Sequence, residues 1–324
     1  MNFLATENIF AQDSIADVIL LYQRSIGGWP KHIGGQKIDY TKYLTDAEKE
    51  DLLDEKSRND ATIDNKATTK EIRYLIKAHK TTGNKSYLDA AEKGIHYLLI
   101  MQEKNGGWPQ FYPDSSIYRS EITFNDNAMI NAMNVLWDVI HRSNGFDMAD
   151  TSLITPSVKA IDAGIQCILK TQIEVHGKLT AWCAQYDKTN LKPAKARSYE
   201  LISISGEESV GIVEFLMKIE NPSYAIKSAI SSAVDWLKKS GINGFRYDNI
   251  KDISKPGGID RVLIRDKNSR VWARFYDIET NKPFFSGRDG SIKWSLSEIE
   301  AERRNGYAWY GTWPRKLLEI EFPE

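Results

Sequence analysis

Apolar residues recur along the chain at helical spacing, in blocks separated by polar or glycine-containing turns. In residues 13–25, Ile15, Val18, Ile19 and Tyr22 share one face of a predicted helix. Residues 68–81 place Ile72, Leu75, Ile76 and His79 inward and stop at Gly83. Residues 85–102 follow with Leu88, Ala91, Ile95 and the Leu98-Leu99 pair. Residues 126–141 repeat the stripe with Ile130, Met133, Trp137 and Ile140. A further helix is predicted over 155–170, with Thr155 as its cap and Pro156 at the first helical position, where a missing N–H costs nothing. Residues 205–218 and 222–239 complete the helical blocks. Residues 31–63 are polar and charged and predict an exposed, partly helical excursion.

The turns between blocks resemble one another. Gly27-Gly28-Trp29-Pro30 and Gly106-Gly107-Trp108-Pro109 are near copies, and Gly177 leads to Trp182 as Gly241 and Gly244 lead to Phe245. Asn305-Gly306-Tyr307-Ala308-Trp309 is a last variant. Their spacing leaves room for two helices and their connections, which predicts a degenerate repeat of helix pairs. Helix pairs with the turn always at one end build a mainly α fold, an α/α toroid of the (α/α)3 type, with its loops gathered on one rim. From residue 250 to 314 the pattern changes. Val262-Leu263-Ile264 and residues 271–276 are β-like, and turns at Asn281-Lys282-Pro283 and Gly287-Arg288-Asp289-Gly290 predict a C-terminal section of short strands and loops. Residues 1–324 read as a single domain.

Composition narrows the function. The formal net charge is -1, so an acidic ligand needs a local basic patch or a bound cation. Nine Trp and 15 Tyr suit a core and equally a groove that stacks sugar rings. Two cysteines, Cys167 and Cys183, make no disulfide framework. The N-terminus lacks the basic-then-apolar order of a signal peptide, and no apolar run is long enough to span a membrane.

Acids and arginines are the candidate chemistry. Asn125-Asp126-Asn127 opens a predicted helix; a helix cap explains one of these residues and a cluster of three less well. Asp187 follows the next aromatic turn, on the same predicted rim. Two carboxylates with amides beside them suit a hard cation such as Ca2+, or the acid and base of an inverting glycoside hydrolase. The five histidines are scattered, which argues against zinc. Gly206-Glu207-Glu208-Ser209 reads as a helix start capped by Ser205. Arginines 261, 265, 270, 274, 288, 303 and 304 interleave with aromatics. Arginine forks hold carboxylates and aromatic faces hold rings, so a carboxylated ring ligand fits. Near-neutral charge and acids on the same rim make nucleic acid a poor fit.

Several stretches resemble the pectate lyases of polysaccharide lyase family 10: residues 105–110, 122–129, 182–187, 205–212, 272–276 and 303–311. The resemblance runs in order from about residue 20 to 314. It implies a mainly helical toroid with a Ca2+-dependent cleft that cleaves polygalacturonate (pectate) by β-elimination. It further implies a secreted or periplasmic protein that acts as a monomer, with no nucleic-acid or membrane partner. Position by position, Asp126 resembles the active-centre aspartate near Ca2+ and Asp187 a second acid at the metal. Arg261 resembles the arginine that acts as Brønsted base, and Arg288 and Arg304 substrate-binding arginines, with Trp108 and Tyr307 as aromatic substrate contacts. Asn127 departs from the family, where a second Asp is common; it removes a negative charge from the acid cluster. A non-catalytic polyuronate-binding module is the remaining alternative.

An arginine base carries a cost. With a reference pKa of about 12.5, about one part in ten thousand is neutral near pH 8.5, a penalty of roughly 5 kcal/mol. Neighbouring positive charge reduces it, and an alkaline optimum follows.

Overall fold

The computed structural model describes residues 12–320. Residues 1–11 of the N-terminal stretch, on which the signal-peptide reading partly rests, therefore lie outside the described residues. Helix α1, Ser14–Tyr22, starts where Asp13 accepts the amides of Ile15 and Ala16 at 3.1 and 3.0 Å. Helix α2, Asp46–Asp54, lies in the polar excursion and is held by a capping box between Thr45 and Glu48. The excursion is less exposed than predicted at its end, where Ala61, Thr62 and Ile63 are fully buried. Then come α3 (Thr69–Thr82), α4 (Lys85–Ile100), α5 (Ala128–His141), α6 (Ile154–Thr171), α7 (Glu208–Leu216) and α8 (Tyr224–Ser240). Gly83 ends α3 with φ 73°, its amide bonded to the His79 carbonyl. Thr155 is not a cap: it lies inside α6, whose lead-in turn is held by Asp150 accepting from the Ser152 amide at 2.8 Å.

The helices pair as predicted: α3 with α4, α5 with α6, α7 with α8. Helices α3, α5 and α7 touch in succession and form the inner ring, and α4, α6 and α8 form the outer one. Only Glu214 of α7 is exposed, so an apolar all-round helix sits at the centre of the toroid.

The repeat is visible in its hydrogen bonds. Trp29, Trp108 and Trp182 are wholly buried, and each indole N–H donates to a carbonyl of the preceding helix: Ile19, Leu98 and Ile168. Gln23, Gln102 and Gln172 each bridge their own turn to the outer helix of the next pair, at Ala90, Ala160 and Ala229. The close approach demands glycine: Gly27 (φ 105°) and Gly106 (φ 90°) face Lys93 O and Ala163 O, which an added Cβ would meet at 2.4 and 2.1 Å. The fourth aromatic of the series is Trp272, not Phe245. Its indole donates to Leu237 O at 2.8 Å. A long antiparallel hairpin, Ile242–Lys251 with Ile259–Ala273, is inserted between the fourth turn's glycine and its tryptophan, and Phe245 belongs to that hairpin. The strand section thus begins before residue 250, and two of its strands are long. Tyr310–Gly311 adds a third strand, and the short helix α9, Ala301–Gly306, packs against the hairpin.

Cys167 and Cys183 are free and buried, and burial pushes both thiols above their ordinary pKa. No helix among the described residues is long and apolar enough to cross a membrane.

Candidate active site

The turns at one end of the toroid meet in a polar cleft of about 90 Å3 lined by Asp64, Gln110, Asn125, Asp126, Gln185 and Glu200, with Lys31, Tyr118 and Arg197 at its edge. Asp126 reaches the cleft because the chain is bent before α5. Asp126 and Asn127 are consecutive left-handed residues (φ 52° and 58°), and the amides of Phe124 and Asn125 both bond Ala184 O. Each such residue costs on the order of 1 kcal/mol or more. Asp126 therefore does not cap a helix: α5 begins at Ala128, with no side-chain cap. The same bend precedes α3, where Asn65 and Lys66 have φ 49° and 65°. Residues 62–67 and 123–128 are also alike in sequence, Thr-Ile-Asp-Asn-Lys-Ala against Thr-Phe-Asn-Asp-Asn-Ala. Asn127 packs its Oδ1 where a Cβ on Gly211 would fall at 2.1 Å, so it faces α7 and is not part of the cleft lining.

A buried charge network backs Asp126. The strand Phe275–Tyr276 pairs with Ile204–Ser205, which sets Arg274 beside the start of α7. Arg274 Nη2 lies 2.6 Å from Glu208 Oε1 and 3.4 Å from Asp126 Oδ1, and Nη1 lies 2.8 Å from Glu207 Oε2. The Glu207 contact is a charge contact without a formed hydrogen bond. Ser205 Oγ donates to Glu208, whose side chain is wholly buried, and the Asp126 amide faces Glu208 Oε1 at 3.4 Å. Gly206-Glu207-Glu208 is therefore more than a helix start. Burial raises the carboxyl pKa of Asp126; the Arg274 charge opposes this and Glu208 adds to it. Burial and then Glu208 push Glu207 up to about 8. Burial disfavours the Arg274 charge, but Glu208, Glu207 and Asp126 outweigh it and hold the guanidinium protonated.

Next to this network stands a cluster of arginines on two tyrosines. The Tyr307 ring lies 4.7 Å from the Arg274 guanidinium and 4.8 Å from that of Arg303. Tyr199 collects Arg303, Arg197 and Arg288 at 4.1, 4.9 and 5.1 Å. Arg303 is 5% exposed, and its Nε and Nη2 have no acceptor. Burial, helped by the charges of Arg288 and Arg197, pulls Arg303 below the ordinary arginine pKa. Unpaired guanidinium donors are the groups that hold carboxylates.

The site thus gathers Asp126 and Tyr307 around Arg274, with Arg288 on the rim, paired to Glu302 at 2.7 Å. Other expected residues lie elsewhere. Trp108 is a core residue that shows no surface for a ligand. Arg304 is one residue out of place: its Nε and Nη2 grip both oxygens of Asp260 at 2.8 and 2.7 Å and Nη1 donates to Ile299 O, so it fastens α9 to the hairpin and Arg303 faces the aromatics instead. Asp187 is not brought to Asp126. Thr123 pairs with Gln185 and Ile122 with Tyr186, so the ladder carries Asp187 toward Glu121 and away from the bend. Its Oδ1 accepts the amides of Thr189 and Asn190 at 2.8 and 2.9 Å. Asp277 does the same with Thr280 one repeat later, the mark of a turn former. Arg261 lies on the hairpin with its guanidinium 4.5 Å from the Tyr247 ring, and no hydrogen bond or ion pair among the described residues joins it to Asp126. No three His, Cys, Asp or Glu side chains among the described residues converge as a metal site.

A family model described as pectic acid lyase matches residues 23–318. Among solved structures, a family 10 polysaccharide lyase from Cellvibrio cellulosa is 35% identical with a TM-score of 0.81, over 94% of this chain and 90% of that one. A mutant of a family 10 polysaccharide lyase from the same organism, in complex with trigalacturonic acid, is 35% identical with a TM-score of 0.83, over 94% of this chain and 91% of that one. No curated protein matches the chain. Matched over most of its length by both comparisons, the chain is an enzyme of the pectic acid lyase family, family 10 of the polysaccharide lyases.

Proposed function

We propose that this enzyme cleaves α-1,4-polygalacturonate by Ca2+-dependent β-elimination, releasing 4,5-unsaturated oligogalacturonides. The observation that carries the reading is the pairing of Asp126 and its neighbouring amide oxygens with a row of arginines, Arg274, Arg303, Arg197 and Arg288, in one aromatic-lined region. A polymer of carboxylated rings matches both halves. The trigalacturonate complex of the Cellvibrio enzyme supports this substrate class.

The donor set suits Ca2+. Asp126 offers a carboxylate, Asn125 an amide, and the buried oxygens Asp64 Oδ1, Gln110 Oε1 and Gln185 Oε1 lack partners in the same cleft. Hard oxygen donors of mixed charge are what Ca2+ takes. When bound beside the uronate carboxylate, the ion would draw charge toward that carboxylate and make the C5 proton more acidic.

The chain's own groups do the rest. Arg303, with unpaired donors, binds a uronate carboxylate and fixes the ring. Arg274 holds Asp126 in place and keeps its charge balanced. A base takes the C5 proton, the C4–O4 bond breaks, and the electrons of the C5–H bond become the C4–C5 double bond while the leaving oxygen gains a proton. The family resemblance points to Arg261 as the base. In support, no carboxylate among the described residues pairs with its guanidinium, whereas Arg274, Arg288 and Arg304 are all tied to acids that keep them protonated. We further propose that the enzyme acts outside the cell as a monomer. The glycosidase alternative needs Asp126 and Asp187 across a bond about 6.5–9.5 Å apart; the turn that binds Asp187 speaks against it. Asp126→Ala and Arg261→Ala should each abolish turnover of polygalacturonate while substrate still binds, and full activity in either variant removes that residue from the mechanism.

A further inference from the structure

The position two residues after each repeat tryptophan recurs in all four turns: Lys31, Gln110, Ala184 and Arg274 follow Trp29, Trp108, Trp182 and Trp272. Three of them carry polar side chains, and two of these, Lys31 and Gln110, line the polar cleft. Beside them the acid–amide pair is present twice. Asp64-Asn65 of the first repeat stands where Asn125-Asp126 stands in the second, with acid and amide exchanged, on the same left-handed bend.

The first copy is not idle. Asp64 is 4% exposed, Gln110 5% and Gln185 2%. Asp64 Oδ1, Gln110 Oε1 and both amide atoms of Gln185 have no partner, although every one of these side chains lines the cleft that holds Asp126. An unpaired buried acceptor destabilises a fold, and one that the fold does not use indicates a ligand. These acceptors come from three successive repeats, and they are all hard oxygens. Two cations line the same cleft, the Lys31 ammonium, paired with the other oxygen of Asp64, and the Arg197 guanidinium, paired with Glu200.

We propose that Asp64, with the amide oxygens of Gln110 and Gln185, completes the seat of the divalent cation whose second carboxylate is Asp126, and that Lys31 is the internal cation it competes with. Asp187 has no part in this seat. Two carboxylates plus neutral amides give a site of low charge, as expected where three acids do not converge. The proposal rests on the Ca2+ reading above, which it refines by assigning the second carboxylate to Asp64, leaving Asp187 out, and making Lys31 the competing cation.

The test is calorimetric titration of CaCl2 into the metal-free full chain, read without substrate turnover, together with the melting temperature of each variant. Asp64→Asn should lower Ca2+ affinity at least tenfold, and Lys31→Met should raise it. Gln185→Met removes two unpaired atoms, so it should melt no lower than the wild type without metal yet bind Ca2+ several-fold more weakly. This second variant keeps the test open if Asp64→Asn folds poorly. Asp187→Asn should bind as the wild type does. If Asp64→Asn and Gln185→Met bind Ca2+ normally while Asp126→Asn does not, the Ca2+ reading stands and this inference is overturned. If the wild type takes up no Ca2+, both fall together.

Discussion

Removing Arg274 should destabilise the protein in a way that depends on pH. The guanidinium is 5% exposed and meets three acids. Their side chains differ in exposure: Glu208 is at 0%, Glu207 at 22% and Asp126 at 36%. Breaking a fully buried pair costs about 3–5 kcal/mol, and Glu208 should supply nearly all of it. Glu207 and Asp126 are partly screened by water and add less than about 1 kcal/mol each. A loss of about 4 kcal/mol is therefore expected for Arg274→Met. For a chain of this length the entropy of unfolding is roughly 0.7 kcal/mol per degree, so the melting temperature should fall by about 6 °C at pH 8. Without the guanidinium, Asp126 and Glu207, whose pKa values burial already raises, lose the opposing charge and are held neutral in the folded state. The folded state then binds more protons than the unfolded one, and the deficit shrinks toward pH 5. Circular dichroism melts at the two pH values read this directly, and adding Glu208→Gln to Arg274→Met should restore part of the loss. An unchanged melting temperature at pH 8, or a larger loss at pH 5, would refute the reasoning.

Two further expectations concern single groups. Arg303→Ala should raise KM for polygalacturonate at least tenfold and lower the melting temperature only by its lost packing on Tyr199 and Tyr307, whereas Arg304→Ala should lower the melting temperature more, because Asp260 loses a buried bidentate partner, and leave KM nearly unchanged; a KM effect at Arg304 and none at Arg303 would restore Arg304 as the substrate arginine. Glu207, held up to about 8, favours its neutral form in the folded state, so its contribution is complete below about pH 4.5 and is lost as pH rises through 8. Glu207→Gln should flatten the stability profile across that window, and an unchanged profile would place the titration elsewhere.

Much of the fold could be read in the chain because its signals are local. Ile72, Leu75, Ile76 and His79 fall on one helical face and are buried together, and the Gly-Gly-Trp-Pro turns mark the helix ends. The fourth turn escaped because a hairpin of some thirty residues separates Gly241 from Trp272, and Phe245 offers a nearer aromatic. The site was harder because its selection is long-range. Nothing local distinguishes Arg303 from Arg304; Asp260, across the hairpin, decides which of them is tied down. Glu208 read as a helix start because its partner, Arg274, is distant in sequence. The turn role of Asp187 could have been read from the repeat. Trp182, Tyr186 and Asp187 recur as Trp272, Tyr276 and Asp277, and Tyr186 and Tyr276 accept the amides of Cys183 and Ala273 in the same way. A residue that the repeat copies into a turn is explained by the turn.

The central claim is tested most directly by incubating the enzyme with polygalacturonate, with and without a Ca2+ chelator, and following ultraviolet absorbance alongside reducing ends. The account predicts that both rise together as 4,5-unsaturated products form, and that the chelator stops both. Reducing ends that appear without the absorbance would mean hydrolysis and would contradict it.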